Sequence, residues 1–318
     1  MEITHRTVET NGIKMHIAEQ GSGPVVLLIH GFPELWYSWR HQIPVLAEAG
    51  YHAVAPDMRG YGDTEAPLGA HNYTYFHIVG DLIGLLDALG VDKAFVVGHD
   101  WGSAVASHLC LFRPDRVTAL VNLSVVLRPR DPTTKPTEKM KTVFGEGYYM
   151  CRFQEPGRAE EEFARYACAT VLKKFLLTTR TDIFTASPDK EIIDVLETQP
   201  TLPSWITEEE IQYFAKQFEK TGFTGGLNYY RVMDLNWELL GPWTGATITV
   251  PTKYIVGDKD LVYTMPGMKN FVHGGHLKKI APFLEEVVVI EDGHHFIQQE
   301  KSNEVSDHIL NFFRRFST

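Results

Sequence analysis

The stretch FVVGHDWGSAVASHL, Phe95 to Leu109, places Asp100 two residues after Gly98 and two before Gly102. Glycines at those offsets permit a tight strand-to-helix turn that lifts the middle side chain clear of the backbone, the setting of an exposed nucleophile. The residue lifted here is a carboxylate. Aspartate is ionised below neutral pH without help from a base, so it can displace a leaving group from a saturated carbon and become an alkyl ester. On an acyl carbon the same attack would give a reactive anhydride, which makes acyl transfer a poor match. Alone, a G-x-D-x-G turn could also merely end a strand, because short glycine motifs match by chance.

Three further segments could complete such a site. HGFPELWYSW follows the apolar run VVLLI, where a loop N–H, with the N–H of the residue after the nucleophile, can face a developing oxyanion. Those donors would be Phe32 and Trp101, and the adjoining Pro33 is a candidate for a cis peptide bond. IVGDKDLVY offers Asp258 and Asp260, and VVVIEDGHHFIQQE offers His294 and His295. Imidazole can take a proton from water near neutral pH, while an acid can hold its other nitrogen and stabilise the imidazolium. Spacing alone admits either acid and either histidine, and an acid opening a loop is often only a turn former. The order nucleophile, acid, histidine is the order expected of a fold built around such a turn. A metal site built on these histidines and the HGGH of His273 to His276 is disfavoured, because no Cys, Asp or Glu at ligand spacing accompanies them. His41, His52 and His108 read as structural.

These loops need strands beneath them. Short apolar runs at 25–30, 51–56, 94–99, 117–126, 252–257 and 286–292 read as buried parallel strands. Between them, FHIVGDLIGLLDAL sets Ile78, Val79, Leu82, Ile83, Leu86 and Leu89 on one helical face. Alternation of this kind predicts an α/β fold with a doubly wound, mostly parallel sheet. Buried-strand runs stop at about Arg128 and resume at Thr252, with a proline-punctuated, helical and aromatic-rich texture between. The expectation is a core split into residues 1–128 and 244–318 around a mostly helical cap at 129–243.

The chain has 318 residues, 44% of them hydrophobic, and a net charge of −10, enough for a sizeable core and unsuited to a nucleic-acid partner. A small uncharged substrate fits better. The opening MEITHRTVETNG shows no basic leader with an apolar run, and no stretch approaches the ~18 apolar residues of a spanning helix. Three cysteines without a CxxC pair suit a reducing compartment, and the expectation is a cytoplasmic protein without membrane insertion.

HGFPE, GHDWG, VGDKDLVY and GHHFIQQE, with the cap segments YYMCRFQEPG and TGFTGGLNYYR, together resemble a soluble epoxide hydrolase of the α/β-hydrolase fold, of the plant type, over essentially the whole chain. The resemblance implies Asp100 as nucleophile, His295 as general base and Asp260 as charge-relay acid, leaving Asp258 and His294 as neighbours. It also implies Tyr149 and Tyr230, the second of each pair in the cap, as acids for the ring oxygen. A phenol with ordinary pKa near 10 is neutral at pH 7 and can hydrogen-bond and then protonate an alkoxide. Phe32 and Trp101 would form the oxyanion hole, Pro33 would line the substrate pocket, and Glu34 and His99 would join a network around the catalytic water. The implied activity is conversion of an epoxide and water to a vicinal diol with no cofactor and no metal, in a monomer or homodimer. Of the same fold, a haloalkane or fluoroacetate dehalogenase is the alternative, disfavoured by the paired tyrosines; a non-catalytic ligand receptor is disfavoured by GHDWG. A carboxylesterase is weaker still, since no G-x-S-x-G occurs. DMRGYGDT, residues 57–64, reads as a structural loop.

Overall fold

The six apolar runs become six parallel strands. In the computed structural model, which describes residues 2–317, a hairpin of β1 (Thr4–Thr10) and β2 (Ile13–Gly21) is followed by β3 (Val25–Ile29), β4 (His52–Pro56), β5 (Ala94–His99), β6 (Val117–Leu123), β7 (Thr252–Gly257) and β8 (Leu284–Ile290). They form one eight-stranded sheet in the order β1-β2-β4-β3-β5-β6-β7-β8. From β4 to β8 all neighbours pair parallel, while β1–β2 and β2–β4 pair antiparallel.

The central strands are buried on both faces, so their side chains alternate between two cores. Leu27, Ile29, Val96 and Leu120 join the core on one face; Val26, Leu28, Val97 and Val121 join the other. The first core is closed by the helices Tyr75–Ala88 and Trp101–Phe112, the second by Gln42–Glu48 and Ser302–Phe313. On the helix Tyr75–Ala88 the residues Ile78, Val79, Leu82, Leu85 and Leu86 are buried, and Ile83 is only half-buried.

The hairpin is an addition to what the apolar runs predict. Its strands face solvent along much of β1, so they lack a continuous apolar run, and the turn is Asn11-Gly12 with φ of 47° and 79°, the left-handed pair that a two-residue hairpin turn demands. β6 also ends earlier than its apolar run. At Ser124 φ is 66° and the N–H donates to the Ile255 carbonyl, which turns the chain off the sheet edge.

Between β6 and β7 the described residues form eight helices, from Pro136–Phe144 to Met233–Leu239, and one isolated bridge, Tyr148 to Thr185. No helix among the described residues is long and apolar enough to cross a membrane. Because β3 connects to β4 on one side and β5 lies on the other, the loops leaving these two strands diverge at the carboxyl edge, where open α/β sheets form their binding crevice.

Candidate active site

Asp100 sits in the turn between β5 and the helix Trp101–Phe112 with φ 53° and ψ −123°, a strained conformation for a residue with a side chain. The flanking glycines make it possible. A methyl on Gly98 would lie 2.4 Å from the Gly102 carbonyl oxygen, and one on Gly102 would lie 2.0 Å from that of Ile29. Gly31 is equally constrained, since a methyl there would fall 2.5 Å from Asp100 Cβ.

The two carboxylate oxygens of Asp100 meet different partners. The Phe32 N–H donates to Oδ1 at 2.9 Å, and His295 Nε2 lies 3.4 Å from Oδ2. Trp101 is the first residue of its helix, so its N–H has no acceptor within that helix. The Phe32–Pro33 peptide bond is cis.

His295 is held from behind. Its Nδ1 is 3.0 Å from Asp260 Oδ1, and Asp260 is fully buried and also accepts from the Val262 N–H at 2.8 Å. Burial works against the imidazolium, but the adjacent Asp260 and Asp100 carboxylates outweigh it and raise the His295 pKa well above the usual imidazole value. Burial likewise opposes ionisation of Asp260, and the facing His295 brings its pKa below the ordinary aspartate value. His294 turns away instead, pairing with Glu300 at 2.9 Å.

Beneath the triad lies a second buried pair. His99 Nδ1 is 2.6 Å from Glu34 Oε2, and His99 Nε2 donates to the His295 backbone carbonyl at 2.7 Å. Glu34 also accepts from the Gly31 N–H at 2.9 Å and from Gln298 Nε2 at 2.7 Å. Burial would raise the Glu34 pKa, but His99, the Gly31 N–H and the nearby His30 hold it down at about 2. The backbone of the loop at Gly31 and that of His295 are thereby tied to one buried histidine–carboxylate pair.

Above Asp100 stand two buried phenols from separate helices, Tyr149 at the start of Tyr149–Arg152 and Tyr230 in Thr224–Arg231. Their ring centroids are 6.0 Å apart. Tyr230 also packs edge-on against Trp101 at 5.0 Å and Phe32 at 5.5 Å. Burial pushes both phenol pKa values well above 10, and the charge of Asp100 adds to the effect at each. Both are therefore protonated at neutral pH and close enough to feel the charge of Asp100.

The structure thus gathers Asp100, His295, Asp260, Tyr149, Tyr230, Phe32, Trp101, Glu34 and His99 at one edge of the sheet, with Pro33 buried beside Phe32. Missing from the sequence-based set are Gln298, which secures Glu34, and His30, whose Nδ1 donates to the Gly31 carbonyl at 2.9 Å and whose Nε2 accepts the Met58 N–H at 3.0 Å. His30 closing the apolar run VVLLIH, and Gln298 standing three residues after His295, are their only signals in the sequence.

Comparison with known proteins sets this geometry in context. The model of the alpha/beta hydrolase fold matches residues 24–146. The sequence is 55% identical to epoxide hydrolase 3 and 56% identical to epoxide hydrolase 1 of Siraitia grosvenorii, in each case over 99% of both chains. The chain belongs to the epoxide hydrolases of the α/β-hydrolase fold. Among solved structures, an epoxide hydrolase from Vigna radiata superposes with a TM-score of 0.94 at 52% identity, covering 99% of each chain. A mutant of the epoxide hydrolase from Solanum tuberosum does so with 0.94 at 51% identity, covering 99% of this chain and all of that one.

Proposed function

We propose that this epoxide hydrolase opens an oxirane through a covalent ester on Asp100 and releases a vicinal diol. The observation that carries the assignment of roles is the division of labour at the Asp100 carboxylate, with Oδ1 bound by the Phe32 N–H and Oδ2 left toward His295. Oδ2 attacks a ring carbon; the carbon–oxygen ring bond breaks, and the leaving oxygen takes a proton from one of the phenols, Tyr149 or Tyr230. Oδ1 becomes the ester carbonyl, already seated where an oxyanion will form.

Esterification removes the Asp100 charge that helped hold the His295 imidazolium. The imidazolium gives up its proton, the phenolate recovers one, and neutral His295 then deprotonates a water that attacks the Asp100 Cγ. The tetrahedral oxyanion grows on Oδ1, facing the N–H groups of Phe32 and Trp101, contacts worth roughly 3 kcal/mol each in comparable sites. Collapse breaks the ester bond, His295 returns its proton to the departing alkoxide, and the diol leaves. Asp260 keeps the imidazole in the tautomer that presents Nε2 to the water.

In this reading residues 1–128 and 244–318 are the core that carries the triad, and residues 129–243 are a cap that carries the phenols. No residue in the scheme calls for a metal or cofactor. A small epoxide and water are the substrates, in a monomer or homodimer. Cytoplasmic residence is supported by the three cysteines, none of which is disulfide-bonded.

The deciding experiment is a single turnover in ¹⁸O-water with enzyme in excess. The label is expected in Asp100, with an unlabelled first diol, because the oxygen delivered to the product is Oδ2. Label in the first diol would mean direct attack of water on the epoxide and would remove the ester from the scheme.

A further inference from the structure

The two tyrosines of the pair Tyr229-Tyr230 face different ways, and the one without a catalytic role is the better anchored. The Tyr229 hydroxyl is buried and donates to the Arg59 backbone carbonyl at 3.0 Å, across the junction between the helix Thr224–Arg231 and the loop 57–64 that follows β4. Arg59 cannot give way easily. Its Nε and Nη2 bind the two oxygens of the fully buried Asp81 at 2.8 and 2.6 Å, and its Nη1 reaches the Asn72 carbonyl at 3.2 Å.

The same helix rests on this loop through bare backbone. A methyl on Gly225 would lie 2.2 Å from the Gly60 carbonyl oxygen and 2.7 Å from Gly60 Cα. Gly60 has φ of 86° and is equally closed on its side, 2.9 Å separating its own hypothetical methyl from Gly225 Cα. Two glycines thus set the height of the helix above the core. They do not by themselves fix its rotation about its own axis; Arg231, bound to both Glu160 oxygens at 2.7 Å, ties the end of the helix to the neighbouring helix, and the Tyr229 hydroxyl pins the face that meets the loop 57–64. Adjacent helical residues project about 100° apart, so pinning Tyr229 to Arg59 fixes the direction in which Tyr230 points.

We propose that Tyr229 is a positioning residue for epoxide opening. With the Gly225–Gly60 contact, its hydrogen bond to the Arg59 carbonyl aims the Tyr230 phenol at the ring oxygen. This rests on the assignment of Tyr230 as an acid in the first half-reaction. Hydrolysis of the ester depends on His295, Asp260 and the N–H groups of Phe32 and Trp101, none of which is carried by this helix.

The test separates the half-reactions. Tyr229→Phe removes one oxygen atom and keeps the ring packed against Tyr61 and Tyr73. Single-turnover stopped-flow fluorescence, using Trp101 beside Tyr230 as reporter, measures ester formation and ester hydrolysis separately. A misaim on the order of 1 Å costs up to about 100-fold, so ester formation is expected to slow by roughly 10- to 100-fold while ester hydrolysis stays within about twofold of the parent. Gly225→Ala keeps the hydroxyl but lifts the helix, and the same one-sided loss is expected; it carries the test should Tyr229→Phe not fold. Tyr230→Phe run in parallel distinguishes the two ideas. Unchanged ester formation in Tyr230→Phe overturns the acid assignment itself. A slow Tyr230→Phe with an unimpaired Tyr229→Phe overturns only the positioning role, as does an equal loss in both half-reactions, which would mark general loosening.

Discussion

His295 stands between two carboxylates, with Nδ1 3.0 Å from Asp260 Oδ1 and Nε2 3.4 Å from Asp100 Oδ2. In the proposed cycle Asp100 loses its charge when the ester forms, so the basicity of the histidine follows the state of that carboxylate. In the resting enzyme burial is overcome by both acids and the pKa is raised well above 6.5; in the ester, the Asp100 contribution is gone. The two half-reactions therefore have different pH dependences. Ester formation needs only ionised Asp100 and protonated phenols, and it is expected to be flat from neutral to moderately alkaline pH because both phenols titrate well above 10. Ester hydrolysis needs neutral imidazole and is expected to rise with pH. Stopped-flow rates for each step across pH check this, and parallel profiles would contradict it.

The same coupling bears on stability. A histidine whose pKa is raised on folding stabilises the protein fully below its unfolded value of 6.5, and that contribution is lost as pH rises through the folded value. Asp100→Asn removes one source of the raised pKa. It is expected to abolish turnover outright and to move the alkaline fall in melting temperature to lower pH. Full activity in freshly purified Asp100→Asn would remove Asp100 from the nucleophile's role.

Replacing the base without touching the nucleophile stops the cycle halfway. His295→Gln retains the Phe32 donor at Asp100 Oδ1 and both phenols, so alkylation proceeds while water activation does not. Mass spectrometry after incubation with a reactive epoxide is expected to find a gain equal to the substrate's mass on the peptide containing Asp100. No adduct on that peptide would argue for a single-step mechanism.

The paired phenols separate oxirane opening from halide displacement, since an alkoxide needs a proton and a halide does not. Either Tyr149→Phe or Tyr230→Phe leaves one donor, and a loss on the order of 10²-fold per general acid is expected. The double variant is expected to form no ester with an epoxide at all. Retained ester formation in the double variant would shift the assignment toward displacement of a better leaving group.

How far the sequence discloses this site depends on the range of the interactions involved. Gly98, Asp100 and Gly102 are legible because the turn they make is local, and the apolar runs of β3 to β7 are legible because burial on both faces leaves little choice of residue; β8, at the sheet edge, is half exposed yet keeps its apolar run. The choice between His294 and His295, and between Asp258 and Asp260, is not decided by spacing. It is decided by which histidine reaches Asp100 across nearly 200 residues and by which acid meets that histidine from behind, and only the family resemblance could anticipate it. The Asn11-Gly12 hairpin is legible in its turn, but its strands show no apolar run because β1 is largely exposed and β2 interleaves Lys14, His16, Glu19 and Gln20 among its apolar residues. Arg59, Asp81 and Tyr229 are different again. Each lies in an unremarkable local context, and their connection exists only once the helix Thr224–Arg231 has docked on the loop 57–64.

Glu34 joins local and distant constraints, which makes its replacement the sharpest probe of the substructure beneath the triad. Its carboxylate binds His99, the Gly31 N–H and Gln298, and His99 in turn grips the His295 carbonyl. Glu34→Gln keeps the shape but leaves His99 facing a neutral amide in a fully buried site, and removing one member of such a pair typically costs about 3–5 kcal/mol. Because the folded pKa is depressed to about 2 from 4.5, the stabilising contribution is present above 4.5 and lost as pH falls toward 2. The difference in unfolding free energy between parent and Glu34→Gln, measured by urea denaturation, is therefore expected to be largest near neutral pH and to shrink progressively below 4.5. A difference independent of pH would mean that packing rather than charge holds Glu34 in place. The catalytic consequence belongs to the second half-reaction, since the network ends on the backbone of His295 and on the loop that presents the Phe32 N–H. Ester hydrolysis is expected to slow more than ester formation, the reverse of the pattern expected from the cap tyrosines.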